Sequence, residues 1–276
     1  MEILATVFNL SIVIFVVSTM LSMGLSLRVS EIIEPLKNPS LVLRVLLSNF
    51  LLVPLMTLGV AEILPIDEGV KIGLIILSLA AGAPFLPKLA EIAASDKALA
   101  TALMLLLMLA TVVILPFALP LMLDGDVSVD SLSIAKSLVL MMIIPLAIAL
   151  YIKSRKDTFA QKWQTRMVKL SNLTLLLIIV LLLILNSKAI FGIGLYALVA
   201  VVLFMIFSLL IGYLSAGKEY AHRVVSSLAS GQRNISAALV VGAQNFKDPQ
   251  VSVIIIAVSV IGLLILLASA KKYNKG

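Results

Sequence analysis

Residues 228–239 read LASGQRNISAAL, and they decide the fold because Arg233 stands at the middle of an apolar stretch spanning about 221–246. A guanidinium at bilayer depth costs about 2.5–3.5 kcal/mol to insert, so a helix that keeps one there is more than an anchor. Gly231 precedes three polar residues, Gln232, Arg233 and Asn234. Glycine freedom beside side chains that compete for backbone groups predicts a break at midspan. A second stretch has the same character. Residues 73–96, GLIILSLAAGAPFLPKLAEIAASD, put Gly82, Pro84 and Pro87 near the centre of a segment at about 68–93, and proline removes a donor and clashes with the preceding turn. Backbone freed in this way is tolerated at membrane depth only where it lines a protein-buried site or cavity.

The rest of the chain supplies the membrane. Its 276 residues have a mean hydropathy of +1.19, with 62% apolar and 13% charged residues, where a soluble domain would carry roughly twice that charge. Nine apolar segments fall at about 3–26, 40–63, 68–93, 97–122, 131–152, 168–187, 192–215, 221–246 and 249–270, most near the ~20 residues that cross a bilayer. Met1 and Glu2 give the first segment no basic leader, so it reads as a retained spanning helix. The absence of cysteine and the single histidine, His222, exclude a disulfide framework and a cysteine or histidine metal centre. No HExxH, GxSxG, Walker or Rossmann pattern occurs in suitable context, so no enzyme and no cofactor are expected. The net charge of +7 sits in the short gaps between segments, which sets topology and does not make a nucleic-acid surface.

Arg233 apart, sixteen Lys and Arg fall on the side of the odd-numbered gaps and the C-terminus, against Lys71, Lys136, Lys188 and Lys247 on the other. The excess places the C-terminus in the cytoplasm and the N-terminus outside, in a plasma or inner membrane. The third and eighth segments are five apart and run in opposite directions. Interrupted helices paired in this way point to a secondary transporter with a midplane site. The expected plan is an inverted repeat of four plus five helices, residues 1–126 and 127–276, with the third and eighth helices discontinuous.

Arg233 is the first site candidate, either pairing with an anion or standing in for a bound cation; the competing role is to cap half-helix carbonyls. Gln232, Asn234, Ser230 and Ser236 surround the break and either bind a ligand or satisfy freed backbone. Asn49, beside Ser48 in LLSNFLLVPL, is the other strongly polar residue at depth, and a buried amide needs partners. Lys88 and Glu91 have the spacing of a helical pair and either meet at the inner mouth of a cavity or, the favoured reading, snorkel towards the cytoplasmic headgroups. Asn9, Ser11, Ser18 and Ser22 stripe helix one, and Pro116, Pro120 and Pro145 are expected to kink their helices. No acid lies at the centre of a span. A channel would show a continuous polar lining, whereas irregularity here is concentrated at two points, which favours alternating access.

These stretches resemble the bile acid:sodium symporter family. The likeness is carried by SMGLSL, LKNPSLVLRVLLSNFLLVPL, GLIILSLAAGAPFLPKLAEIAASDKALA and GQRNISAALVVGAQNF, in the same order and at similar spacing. The resemblance implies two inverted five-helix repeats, here lacking the first helix, with a core domain holding the crossed broken helices and a smaller panel domain. It implies organic anions as substrates, such as bile acids, steroid sulfates and pantoate-like or keto acids. It also implies sodium ligands, most of which are missing. The family's acid falls at Ala229, its sodium-binding glutamine at Arg233, its serine–asparagine pair at Leu86 and Pro87, and its hydroxyls near Ala100 and Met104; only Asn49 keeps its kind.

The expected protein is therefore an all-α polytopic transporter of a small organic anion. Arg233, Asn234, Gln232, Asn49 and Ser236 are expected at the substrate. Arg233, held by Asn49 and freed carbonyls and with Ser230 near, is expected to act as a tethered cation that replaces sodium. A sodium-coupled symporter with ligands moved to Ser230, Gln232 and Asn234 is the alternative, and a non-transporting receptor or scaffold is another. The lipid bilayer is the expected surrounding, with no nucleic acid and no obligate protein partner.

Overall fold

A computed structural model describes residues 2–27, 38–123, 130–185 and 194–274. Arg28, Lys37, Lys188, Lys275 and the expected repeat boundary at 126–127 lie outside the described residues. All regular structure within them is helical. In chain order the elements are α1 (Glu2–Ser26), α2 (Pro39–Ile63), α3 (Glu68–Leu79), α4 (Leu86–Ile92), α5 (Lys97–Met122) and α6 (Ser131–Arg155). They continue with α7 (Asp157–Leu185), α8 (Leu195–Ser215), α9 (Tyr220–Gly231), α10 (Ile235–Asn245) and α11 (Pro249–Tyr273). Seven of them, α1, α2, α5, α6, α7, α8 and α11, are long and apolar enough to cross a membrane.

Helix starts follow from capping chemistry. Asn38, Asp96, Asp130 and Asp248 each accept a backbone N–H of the first turn through the side chain, and Pro39 and Pro249 open α2 and α11, where a missing donor costs nothing. Prolines inside spans have two outcomes. Single π turns at Ser48–Leu52 and Val139–Ile143 directly precede the turns carrying Pro54 and Pro145, and the wider turn relieves the clash of the ring with the preceding carbonyl. By contrast, α5 runs unbroken through Pro116 and Pro120.

One boundary differs from expectation. The sixth segment begins at Asp157, eleven residues before 168, and runs to Leu185. Residues 157–169, DTFAQKWQTRMVK, alternate polar and aromatic residues around the helix and so escape a search for purely apolar runs.

One continuous core runs through the helices. α1 lies along α7 and α6, with Thr19 Oγ1 and Ser171 Oγ 2.7 Å apart and Gly24 so close to Ala149 that a Cβ would sit 2.6 Å from the alanine methyl. Small residues allow that approach where no hydrophobic force drives helices together. α3 is buried on every side from Ile72 to Leu79, packed against α11, α5 and α10, with Gly73 accepting the bulk of Ile254.

Candidate functional site

The two expected breaks lie against one another. α3 ends at Leu79 and α4 resumes at Leu86; α9 ends at Gly231 and α10 resumes at Ile235. The carbonyls left free at the end of α3 are answered from elsewhere in the chain. Arg233 Nη1 donates to the Ser78 carbonyl at 3.2 Å, the Asn234 backbone N–H to Ala80 at 2.8 Å, and Asn234 Nδ2 to Gly82 at 3.0 Å. Thr111 Oγ1, from α5, accepts the Ala81 N–H at 2.9 Å and lies 3.0 Å from the Ala81 carbonyl. Gly82 has φ +78°, and a Cβ there would fall 2.1 Å from the backbone nitrogen of Met108, so only glycine fits. Asn234 also caps α10, its Oδ1 accepting the Ala237 N–H at 3.1 Å.

Arg233 is 3% exposed. Its guanidinium carbon stands 5.7 Å from the Phe204 ring centroid, and its positive charge meets the negative end of the α3 dipole. Nε and Nη2 have no hydrogen-bond partner among the described residues. No carboxylate pairs with Arg233 among them either, so burial of the charge is only partly compensated.

Asn49 lies in the π turn of α2, fully buried. Nδ2 donates to Ser230 Oγ at 3.0 Å and to its own Val45 carbonyl at 2.9 Å, which ties α2 to the turn before the second break. Of the two partners expected for Arg233, a freed carbonyl is present at Ser78 and Asn49 is not: its amide stops at Ser230, three residues short of the guanidinium. Unpartnered acceptors remain at Asn49 Oδ1, Ser208 Oγ and Gln232 Oε1.

Gln232, Arg233, Asn234 and Ser236 line a cavity of about 340 Å³ together with Phe15, Met205 and Leu266. Thr19, Pro84, Phe85, Ser171 and Asn172 border both this cavity and one of about 900 Å³, so the two adjoin. The larger one opens beside Lys88, Glu91 and Lys97, where Glu91 holds Lys88 at 2.7 Å and Lys97 at 3.4 Å. Neither Asn49 nor Ser230 reaches the cavity wall. Ser22 does, whereas Ser11 and Ser18 bond back to their own helix and Asn9 lines a separate pocket with Thr6 and Gln244.

Sequence reasoning missed Thr111, Phe204, Thr19, Ser171 and Asn172. Thr111 is a hydroxyl at the middle of a span, a signal it shares with hydroxyls such as Thr57 that bond back to their own helix.

The family model for the sodium bile acid symporter family matches residues 13–193, about two thirds of the chain and all of α2 to α7. The chain belongs to that family. Members are transporters and not enzymes, which places the chain in a bilayer with a small molecule as substrate. No curated protein matches it. The match ends before α8, so the break that carries Arg233 lies beyond the matched residues.

The resemblance places the family's carboxylate at Ala229, a methyl group 1% exposed, and its glutamine at Arg233, a cation. A monovalent cation beside an unneutralised guanidinium would be repelled without a compensating carboxylate.

Proposed function

We propose that this protein transports a small organic anion by alternating access without sodium, Arg233 serving as a tethered cation where relatives bind an ion. The observation that carries the reading is the buried Arg233 side chain: it has no acid partner, its Nε and Nη2 are unpartnered among the described residues, and Arg233 is one of the residues lining a cavity that adjoins the larger one. An anion entering that cavity would compensate the charge, while Gln232 and Ser236 offer it further hydrogen bonds.

In this reading the chain crosses the membrane nine times, α3–α4 and α9–α10 each making one interrupted span, as an inverted repeat of residues 1–126 and 127–276. α1, α6 and α7 form the panel, and the remaining helices form the core. The C-terminus and the Lys88–Glu91–Lys97 rim face the cytoplasm, so the conformation is open inward. Sodium coupling through relocated ligands is the second reading, and the unpartnered oxygens of Gln232 and Asn49 favour it.

The test is uptake of a panel of carboxylates and sulfates into proteoliposomes. Arg233→Ala abolishes uptake while the protein remains monodisperse, and Arg233→Lys keeps a fraction of it. Undiminished uptake by Arg233→Ala contradicts the proposal.

A further inference from the structure

The corner between α6 and α7 concentrates charge far beyond what topology requires. From residue 153 to residue 169 there are six basic residues, Lys153, Arg155, Lys156, Lys162, Arg166 and Lys169, against one acid, Asp157. Asp157 is held by Lys153 at 2.5 Å, while the other five basic residues are exposed.

α7 sorts these residues by face. Phe159, Lys162, Arg166 and Leu170 recur at helical spacing on one side, and the same side continues through Leu173 and Leu177. Leu173 is 65% exposed and Leu177 39%, which in a bilayer makes this the face that meets acyl chains. The basic residues therefore stand directly above lipid-facing leucines, one to three turns along the same stripe. Aromatic rings complete the arrangement. Arg166 lies over Trp163 with its guanidinium carbon 4.9 Å from the ring centroid, Phe159 and Trp163 are 5.7 Å apart, and Arg155 covers Tyr151 at 5.7 Å. Aromatic side chains belong at headgroup level, and stacking on a ring holds the guanidinium while leaving its in-plane donors free for phosphate.

We propose that this corner is a binding site for an anionic phospholipid, its headgroup phosphate held by Lys162 and Arg166 and its tails lying on Leu170, Leu173 and Leu177. The opposite side of α7 presents Gln164, Val168 and Ser171 to the large cavity, so the bound lipid braces the cavity wall from outside. Basic clusters beside a spanning helix attract anionic lipid through the surface potential. The continuous leucine face is what selects a lipid over a soluble anion.

Native mass spectrometry of the full chain, released from micelles doped with phosphatidylglycerol or phosphatidylcholine of matched acyl chains, tests the site. The wild type retains phosphatidylglycerol about tenfold better than phosphatidylcholine. The variant Lys162→Gln/Arg166→Gln falls to the phosphatidylcholine level, and Lys271→Gln/Lys272→Gln, which removes the same charge from the end of α11, keeps the preference. Equal retention of the two lipids by the wild type overturns the proposal, as does equal loss in both variants, which would reflect net charge alone. Displacement of phosphatidylglycerol by millimolar inorganic phosphate also overturns it, since the site would then be one for a soluble anion.

Discussion

The backbone N–H of Asn234 donates to the carbonyl of Ala80 across 2.8 Å, joining the two broken helices at the point where each has lost its own pairing. An interrupted helix in a membrane must find partners for its freed groups inside the protein. Here each break supplies them to the other, so that the pair forms one structural unit.

Asn234 is the centre of that unit. Asn234→Ala removes the cap of α10 and the donor to Gly82 together, and a cost of about 2–4 kcal/mol follows from one lost cap and one buried acceptor left bare. Thermal unfolding in detergent should show a clearly lower midpoint, with Asn234→Ser, which keeps only the cap, between the two. A midpoint equal to wild type would mean that the crossing is not held in this way.

Thr111 tests the same unit from α5. Thr111→Val keeps the shape and removes the oxygen that accepts the Ala81 N–H, leaving a buried donor unpaired at about 1–3 kcal/mol. Thr111→Ser restores the acceptor and most of the stability. Equal midpoints for the valine and serine variants would contradict the assigned role.

The breaks are legible in sequence because glycine, proline and charge are conspicuous inside apolar runs. Thr111 is not, since mid-span hydroxyls usually bond back to their own helix, as Thr57 does to Val53 and Thr174 to Leu170. That Arg233 would meet a freed helix carbonyl was legible; that the carbonyl is Ser78's was not, since a backbone atom leaves no mark in composition. Ser171 and Asn172 lie inside the sixth apolar segment at about 168–187, where composition does not separate a polar residue that lines a cavity from one that bonds within its own helix. Asn49 was legible as a buried amide, but its choice of Ser230 over Arg233 depends on helix register.

The absence of cysteine makes accessibility a direct test of orientation. Gln164→Cys, on the large cavity, should react with a membrane-impermeant maleimide in inside-out vesicles and not in intact cells. Asn9→Cys, in the pocket with Gln244, should show the reverse. Labelling of Gln164→Cys from outside would contradict the inward-open assignment.

Sodium dependence should be recoverable by design. Ala229→Glu/Arg233→Gln puts back the carboxylate and the amide that the family resemblance implies, and removes the repelling cation. Anion uptake by this double variant is expected to rise at least about threefold with sodium, whereas Ala229→Glu alone, which pairs with Arg233 and neutralises it, should transport poorly. An unstimulated double variant with normal folding would argue that these two positions do not govern coupling.

The central claim is that a fixed guanidinium does the work of a bound sodium ion. Uptake of a transported anion into wild-type proteoliposomes, with sodium or with an impermeant organic cation as the only external cation, tests it most directly. The account predicts equal initial rates in the two media; sodium-stimulated uptake that carries net positive charge inward would contradict it.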